Sequence, residues 1–304
     1  YSFVKKAKTL KRKKRASQEA LFFWLKFYYN GSTMFNFLHT YHPEPTVFSF
    51  GPLQVHWYGL LMVIGGLLGF ALILKLADHY KLNKKFFHNL LIYWVVGAVL
   101  GARIYYVIYA WELYRGDWGS VFHVWQGGLA IHGIMLGGFV TTYVYAKLIN
   151  RDFWLVADLI AVGLVAAQVI GRVGNYFNQE IFGRPTDAAW GIPIDLVNRP
   201  VGFFEFEFFH PTFLYESFGN LIILGVLLGL TYWRFKRKTL QAGNIFLVYL
   251  LLYSVQRIIL EFYRLDFSPI VFGLRWAQLL SFVVVFVCLS VFVYRGIRGF
   301  LRRK

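Results

Sequence analysis

Seven apolar segments follow one another along most of the chain, and each is about long enough to cross a lipid bilayer. Roughly 20 consecutive apolar residues span the hydrocarbon core of a bilayer as a helix. Hydrophobic residues make up 58% of the chain and charged residues 15%, a balance too apolar for a soluble globular protein. We therefore predict an all-α polytopic membrane protein with seven transmembrane helices. The predicted spans are about 57–76, 87–110, 128–149, 153–173, 211–233, 242–263 and 270–294.

The positive charge of the chain lies mostly in alternate connections between these segments. The connections after the first, third and fifth segments are rich in Lys and Arg, whereas the others carry few. By the positive-inside rule, the C-terminus is cytoplasmic and the Met34 end is outside. This pattern is typical of membrane topology, so the net charge of +17 does not indicate nucleic acid as a partner. The basic residues concerned are Lys75, Lys81, Lys84, Lys85, Lys147, Arg151, Arg234, Lys236, Arg237 and Lys238.

Residues 1–33 form a basic and aromatic extension that does not fit this pattern. Its apolar stretch is too short to span a bilayer, and its positive charge lies on the side that the rule places outside. We expect a single transmembrane domain of residues 34–304, with the extension outside the fold. A chain that starts at Met34 is expected to insert and to function.

The connection 174–210 is the longest between the segments, and it lies outside in this orientation. Its sequence F-F-E-F-E-F-F alternates around Glu205 and Glu207, which predicts a short strand or hairpin. We expect this insertion to form a small external head between the fourth and fifth spans.

The stretch Ile170–Arg184, I-G-R-V-G-N-Y-F-N-Q-E-I-F-G-R, places a dense set of polar side chains at the outer end of the fourth span. Arg172, Asn175 and Glu180 lie among three glycines, which allow backbone and ligand to approach closely. Placing a guanidinium at the end of a membrane span costs free energy unless the group has a partner or a function. A snorkelling arginine at a capped helix end would explain Arg172 but not the whole set.

The sixth span carries a second polar set on one face. Tyr253, Arg257, Glu261 and Arg264 are spaced by 4, 4 and 3 residues. Glu261 can pair with Arg257 or Arg264, but it cannot neutralise both of them together with Arg172. We therefore predict surplus guanidinium groups that bind an anion, such as a phospholipid head group. The alternative is a structural ladder of ion pairs.

Other spans bring polar residues to the same outer end. The first begins with His56 and Tyr58, and the third places His132 about one turn inside the bilayer. The fifth places Tyr215 and Glu216 a turn or two inside. Any one of these residues could cap a helix or lie in an aromatic belt, but convergence from several spans favours a shared site.

Five segments carry recognisable motifs: H-W-Y-G at 56–59, G-G-L-A-I-H-G at 127–133, G-R-V-G-N-Y-F-N-Q-E-I-F-G at 171–183, H-P-T-F-L-Y-E at 210–216 and Q-R-I-I-L-E-F-Y-R at 256–264. In this order they resemble the motifs of the prolipoprotein diacylglyceryl transferase family, the membrane enzymes that begin bacterial lipoprotein maturation. The segment 127–133 departs from the family pattern, because Ile134 follows it where the family more often has glycine. The resemblance extends from about residue 48 to 266.

The resemblance implies transfer of the diacylglyceryl group of phosphatidylglycerol to the lipobox cysteine of preprolipoprotein signal peptides, with no metal or organic cofactor. It also implies a bacterial cytoplasmic (inner) membrane protein whose site faces the outer leaflet of the lipid bilayer. The residues that carry over are, as catalytic, His132, Arg172, Arg257, Tyr253 and Glu261, and, as substrate-binding, Tyr58, Arg172, Asn175, Glu180 and Gly183. Arg264, one of the surplus guanidinium groups of the sixth span, is also expected to bind substrate.

Within that set, His132 is expected to act as the general base or to orient one, because imidazole titrates in the useful range. Arg172 and Arg257 would hold the lipid phosphate and stabilise its charge as it leaves. The polar residues of the fourth-span motif would orient these groups. The division of labour between the histidine, Tyr253 and Glu261 stays open.

Two other functions are compatible with a polar cluster in a membrane protein. A transporter or channel for an anionic metabolite would place its site near the midplane with access from both faces, whereas the cluster predicted here lies towards the outside. A non-catalytic lipid-binding subunit could use the same arginines, and His132 and Tyr253 would then be dispensable.

Overall fold

The computed structural model describes residues 37–51, 53–237 and 240–301, most of which lie in long helices. The extension 1–33 lies outside these residues, so its expected role stays a prediction. The helices are α1 (Trp57–His79), α2 (Lys84–Tyr109), α3 (Ile131–Leu148), α4 (Phe153–Phe177), α5 (Thr212–Arg237), α6 (Asn244–Glu261) and α7 (Trp276–Leu301). The strands pair antiparallel as β1 (Thr46–Phe50) with β2 (Leu53–His56), β3 (Ile192–Pro193) with β4 (Phe208–Phe209), and β5 (Ile270–Val271) with β6 (Leu274–Arg275).

Six helices of the described chain, all of them except α3, are long and apolar enough to cross a membrane. They coincide with six of the seven predicted spans. α3 has 18 residues, includes His132, two threonines and Lys147, and falls short of the combination of length and apolar composition that marks the other six as candidate spans. For α3 the predicted membrane span stays a prediction.

The predicted start of the last span, at residue 270, is wrong. The chain forms the β5–β6 hairpin there, and α7 begins only at Trp276. Phe272 and Gly273 form the turn of this hairpin with φ values of 53° and 76°. Because this left-handed backbone is incompatible with an α-helix, the apolar composition alone placed the start of the helix six residues too early.

Glycines allow two pairs of helices to approach at backbone distance. A Cβ atom added to Gly69 of α1 would lie 2.3 Å from the carbonyl oxygen of Gly163 on α4. A Cβ added to Gly133 of α3 would lie 2.2 Å from the carbonyl oxygen of Gly101 on α2. The α1–α4 and α2–α3 pairs therefore depend on small residues at their contacts, as membrane helices commonly do.

α4 is the central helix and packs against α1, α3, α5 and α6. Its Val162 and Val165 are buried in one apolar core with Leu227 of α5 and Ile245 of α6. The end of α4, where the Ile170–Arg184 motif begins, is therefore fixed against the helices that carry the fifth-span and sixth-span motifs.

A buried ion pair fixes the end of the bundle opposite this motif. Asp158 Oδ2, on α4, lies 2.5 Å from Arg234 Nη1 on α5. The same carboxylate accepts the backbone N–H groups of Gly243 and Phe246, each at 2.8 Å, at the start of α6. Asp158 thus caps α6 from a neighbouring helix. In the sequence, Arg234 is recognisable only as a topological charge, because its partner lies 76 residues away in the chain.

The connection between α4 and α5 is organised around the buried side chain of Gln179. Its Nε2 donates to Asp195 Oδ2 at 2.6 Å and to the carbonyl oxygen of Pro43 at 3.3 Å. His42 Nδ1 lies 2.9 Å from Asp195 Oδ1, and the hydrogen bonds with His42 and Gln179 hold the pKa of the Asp195 carboxyl below its ordinary value. These contacts tie the segment before β1 to the connection.

The predicted strand in this connection is wrong for most of its length. Only Phe208–Phe209 is paired as a strand, while residues 203–207 form turns and irregular backbone without alternating burial. Arg199 Nε and Nη1 donate to the carbonyl oxygens of Ile194 and Phe204 at 2.7 and 2.9 Å. This clamp holds the segment as a loop instead of an extended strand.

Candidate active site

Four elements converge where α4 and α6 end and where α5 and α7 begin. Gly183 closes this junction, because its N–H donates to the carbonyl oxygen of His210 at 2.7 Å and it forms an antiparallel bridge with Arg264. A Cβ atom at this position would lie 2.7 Å from Thr212 Cγ2 and 2.9 Å from the carbonyl oxygen of Tyr263. Gly183, predicted to bind substrate, thus also allows three backbone segments to meet.

Glu216 on α5 is the centre of the polar contacts at this junction, and it is 1% exposed. Its Oε1 lies 2.8 Å from Arg172 Nη2 and accepts the Tyr253 hydroxyl at 3.1 Å. Its Oε2 faces Arg264 Nη1 at 3.8 Å. An arginine of α4 and a tyrosine of α6 therefore meet at one carboxylate of α5.

Glu261, the last residue of α6, is the second buried carboxylate, with a side chain that is 0% exposed. Its Oε2 lies 2.9 Å from Arg257 Nη2, and its Oε1 lies 3.0 Å from Arg275 Nε. Neither oxygen receives a well-directed hydrogen bond from the described residues, so these contacts are ion pairs held by charge. The predicted pairing with Arg257 is confirmed, and Arg275 is an additional partner.

The alternative pairing of Glu261 with Arg264 is wrong. Arg264 instead makes a bidentate contact with Asp266, at 2.7 and 3.0 Å. Because α6 ends at Glu261, Arg264 leaves the helix face on which its spacing would place it. Burial raises the pKa of the Asp266 carboxyl, but its hydrogen bond with Arg264 and the charge of that group outweigh burial and hold the pKa below its ordinary value.

The charges of this cluster nearly balance. Four guanidinium groups face three carboxylates, which leaves a surplus of one positive charge when all seven groups are ionised. The surplus is smaller than predicted from the sequence, because Glu216 and Asp266 are counter-ions in addition to Glu261. The remaining charge still favours an anion. The cluster consists of Arg172, Arg257, Arg264, Arg275, Glu216, Glu261 and Asp266.

Arg172 and Arg257 are the arginines of the cluster that keep hydrogen-bond donors available. Their side chains are 23% and 19% exposed, and each makes its ion pair with a carboxylate through Nη2. Arg264 is 6% exposed, while Arg275 uses its donors on Glu261 and on backbone carbonyl oxygens. Because a guanidinium presents five N–H donors in a planar fork, Arg172 and Arg257 can each bind a phosphate while keeping a carboxylate partner.

Asn175 and Glu180 belong to a neighbouring network in the turn after α4. Asn175 Nδ2 donates to Glu180 Oε1 at 2.8 Å, and Asn178 Nδ2 donates to the same oxygen at 3.2 Å. No hydrogen bond or ion pair between described residues joins Glu180 to Arg172. The predicted orienting role of Asn175 and Glu180 therefore stays a prediction.

Tyr58 lies beside the end of α4, whereas His132 lies apart from the charged cluster. A Cβ atom on Gly174 would lie 3.0 Å from Tyr58 Cδ2, so the tyrosine packs directly on this helix. His132, near the start of α3, is exposed and stacks on Tyr105 with ring centroids 5.7 Å apart. No hydrogen bond or ion pair in the described part of the chain connects His132 with Glu216.

Three members of the charged cluster were missing from the set of site residues predicted from sequence. Glu216 ends the H-P-T-F-L-Y-E motif, so its signal was present but was assigned no role. Arg275 fell within the predicted span 270–294, where an arginine is itself a sign of function or pairing. Asp266 carried no comparable signal, because its pairing with Arg264 depends on the turn after α6.

Comparisons with known proteins agree with the sequence motifs. A family model described as prolipoprotein diacylglyceryl transferase matches residues 45–294. A similar protein from Gloeobacter violaceus is 42% identical over 240 residues, which cover 79% of this chain and 88% of the relative. Proteins from a Nostoc species and from Acaryochloris marina are each 41% identical; the alignments cover 79% of this chain and 84% and 86% of those relatives.

All three relatives are named phosphatidylglycerol–prolipoprotein diacylglyceryl transferase. The matched region, 45–294, contains all five motifs and every residue of the charged cluster around Glu216. Since the match covers most of the sequence, the chain belongs to the prolipoprotein diacylglyceryl transferase family.

Proposed function

We propose that this chain transfers the diacylglyceryl group of phosphatidylglycerol to the lipobox cysteine of preprolipoproteins. Its relatives carry this activity in their names. The observation that carries the proposal for the site is the pair of Arg172 and Arg257. Each is held by a buried carboxylate, each is partly exposed, and each retains N–H donors for a phosphate.

The reaction is a displacement at a glycerol carbon of the lipid. The lipobox sulfur attacks the carbon that bears the phosphate, so that an S–C bond forms and the C–O bond breaks. The electron pair of the broken bond leaves with glycerol 1-phosphate, and the thiol proton goes to a base. Arg172 and Arg257 hold the phosphate and stabilise the negative charge that develops on the leaving oxygen, as preorganised donors do in other enzymes.

The base is best assigned to His132. The Glu261 carboxylate is fully buried between two guanidinium groups, and the Tyr253 hydroxyl donates to Glu216. Neither group is therefore well placed to take a proton from an incoming thiol. His132 is exposed at the start of α3, and imidazole is the side chain whose ordinary titration range suits a base at neutral pH. The bound substrates would bridge His132 and the arginines.

The proposed reaction also requires a particular orientation of the chain in the membrane. The chain is a multi-pass membrane protein, and we propose seven spans with α3 as the third and 178–211 as an external head. In this arrangement the C-terminus is cytoplasmic and the arginine cluster faces the outer leaflet of a bacterial inner membrane, as the distribution of Lys and Arg favours. Reporter fusions after Lys85 and Arg151 should signal the cytoplasm, and fusions within 185–205 should signal the outside. An external signal at Arg151 would overturn this orientation.

The proposed reaction can be tested with purified protein, phosphatidylglycerol and a synthetic lipobox peptide. Mass spectrometry should show that the peptide gains one diacylglyceryl group, and a peptide with serine in place of cysteine should stay unmodified. If the cysteine peptide keeps its mass while the protein still binds phosphatidylglycerol, the chain is a lipid-binding subunit and not a transferase. The transporter alternative finds no support in the relatives, since those compared are named as transferases.

A further inference from the structure

Glu216 connects two groups that the proposed reaction needs. One oxygen, Oε1, contacts both Arg172 Nη2 at 2.8 Å and the Tyr253 hydroxyl at 3.1 Å. The other oxygen, Oε2, faces Arg264 at 3.8 Å. The carboxylate itself is almost inaccessible, so it cannot contact a lipid head group directly. Any effect of Glu216 on the reaction must therefore pass through the side chains that it holds.

The position of Glu216 is itself fixed from several sides. Its backbone carbonyl oxygen accepts Gln256 Nε2 at 3.0 Å, which ties this turn of α5 to α6. Ser217 Oγ donates to the carbonyl oxygen of Val169 at 2.6 Å, which ties the same turn to α4 one helical turn before Arg172. The carboxylate is therefore a rigid reference point for the guanidinium, and not a mobile counter-ion.

Arg264, the third neighbour of the Glu216 carboxylate, has a counter-ion of its own. Arg264 is clamped by Asp266 through two hydrogen bonds, so its neutralisation does not depend on Glu216 alone. The close contacts of Glu216 are the ones to Arg172 and Tyr253. Glu216 differs in this respect from Glu261, whose two oxygens contact one arginine each.

We propose that Glu216 is a positioning residue for diacylglyceryl transfer, an inference that rests on the proposed function. It aims the Arg172 guanidinium at the lipid phosphate and holds the Tyr253 hydroxyl as a donor directed away from the substrate. The length of the Glu216 side chain matters in addition to its charge. A shift of about 1 Å in a positioned group can reduce a rate by about 10²-fold.

If Glu216 positions Arg172, replacing Glu216 should reduce turnover without weakening the binding of phosphatidylglycerol. Glu216→Gln removes one negative charge from a cluster that has four guanidinium groups and three carboxylates. The more positive cluster should bind anionic phosphatidylglycerol at least as well as before. Turnover should fall, because Arg172 keeps its charge but loses the ion pair that directs it.

Glu216→Asp tests side-chain length separately from charge. It keeps the carboxylate but draws it back by about one carbon–carbon bond, roughly 1.5 Å. If Glu216 only neutralised its arginines, the aspartate would restore both stability and turnover. If Glu216 is a positioning residue, the Glu216→Asp variant should fold, but its turnover should be slower by on the order of 10²-fold. Its KM for phosphatidylglycerol should not be raised.

Asp158→Asn provides the matched control. Asp158 is also a buried carboxylate paired with an arginine, but it lies at the opposite end of the bundle. Its substitution should lower the unfolding temperature while leaving kcat and KM of the folded protein unchanged. The control thus measures the general effect of neutralising a buried carboxylate in this protein.

The experiment compares kcat and KM for phosphatidylglycerol in the peptide assay, using only protein that elutes as folded on size-exclusion chromatography. Reduced kcat without raised KM in Glu216→Asp, or in Glu216→Gln if the aspartate variant does not fold, supports positioning. Parent-like kcat in Glu216→Asp, or failure of both variants to fold, overturns it. If the parent protein transfers nothing, the proposed function fails instead, and the two outcomes are distinguishable.

Discussion

Glu261 Oε1 and Arg275 Nε lie 3.0 Å apart and join the end of α6 to the start of α7. Arg275 Nη1 also donates to the carbonyl oxygen of Arg264 at 2.5 Å, in the turn between these helices. The side chain therefore fastens the turn that positions Arg264 and supplies Glu261 with a second positive neighbour beside Arg257. None of these contacts requires Arg275 to touch the substrate.

Arg275→Met should mainly destabilise the fold. It leaves backbone carbonyl oxygens and part of the Glu261 charge without their partner, which typically costs about 1–3 kcal/mol for a buried group. The measurement is the unfolding temperature of the detergent-solubilised protein. Arg115→Met is the matched control, because Arg115 pairs with Glu112 on the surface, where such pairs contribute about 0–1 kcal/mol. Equal unfolding temperatures for the two variants would contradict the role assigned to Arg275.

Arg257→Lys should separate bidentate recognition from charge. Lysine can keep the ion pair with Glu261, so the variant should fold like the parent. It lacks the planar fork that binds a phosphate through two parallel hydrogen bonds. We expect transfer to slow by about 10²-fold or more, the range seen when one preorganised donor is lost. Arg237→Lys, an exposed change at the opposite end of α5, should leave the rate unchanged. Near-parent turnover in Arg257→Lys would show that the positive charge alone is sufficient and that the planar fork is not needed.

His132→Gln should insert and fold normally, because His132 is exposed and stacks on Tyr105. An amide does not titrate, and loss of a general base typically slows a reaction by about 10²–10⁴-fold. We therefore expect much slower transfer with phosphatidylglycerol binding retained. His88→Gln, at another exposed histidine, is the control and should behave like the parent. If His132→Gln stays within a few-fold of the parent rate, the base is another group.

Gly183→Ala should disturb the junction that holds the site. The added methyl group would meet Thr212, His210 and the carbonyl oxygen of Tyr263 at 3.0 Å or less. Overpacking of this kind typically costs about 1–3 kcal/mol. We expect a lower unfolding temperature together with reduced transfer by the remaining folded protein. Gly116→Ala is the control, because nothing lies within 4 Å of its added Cβ atom. A parent-like Gly183→Ala protein would show that the junction can relax.

Acidification should weaken the contact between the connection 178–211 and α5. Burial lowers the pKa of the His210 imidazole below its ordinary value, and its Nδ1 lies 3.0 Å from the Tyr215 hydroxyl. Between the lowered pKa and about 6.5, the unfolded chain binds more protons than the folded one. The free energy of unfolding should therefore fall as the pH drops through this window and be fully restored above it.

The pH effect can be assigned by comparing unfolding temperatures at pH 7.5 and 5.5. His210→Gln should show a smaller difference between the two values than the parent. His79→Gln removes an exposed histidine at the opposite end of the bundle and should keep the parent difference. An undiminished difference in His210→Gln would exclude this histidine as the cause.

Most of the helical architecture could be predicted from the sequence, because the length of an apolar run is a local property. The predicted spans coincide with the helices to within a few residues, apart from α7, which begins six residues later and ends seven residues later than predicted. The late start has a local cause, the turn at Phe272 and Gly273, which composition does not reveal. The predicted strand at 203–207 failed because the Arg199 clamp depends on two backbone carbonyl groups that no alternation pattern encodes.

The sequence by itself determined which polar side chains are available and at which end of the bundle they lie. Hydropathy and helical spacing were sufficient to bring Arg172, Tyr253, Arg257 and Glu261 into one hypothesis, together with the family to which the motifs point. The same spacing predicted the pairing of Arg257 with Glu261, because both residues lie on one helix, four positions apart.

Only the tertiary structure decided how the remaining charges are paired. In the structure, Glu216 contacts Arg172 and Tyr253, and Arg264 pairs with Asp266 instead of Glu261. His132 lies outside the charged network. Ion pairs between helices depend on how each helix is rotated against its neighbour and on the residue at which it ends. Neither quantity is contained in the spacing of residues along a single helix, since both follow from packing across the whole bundle.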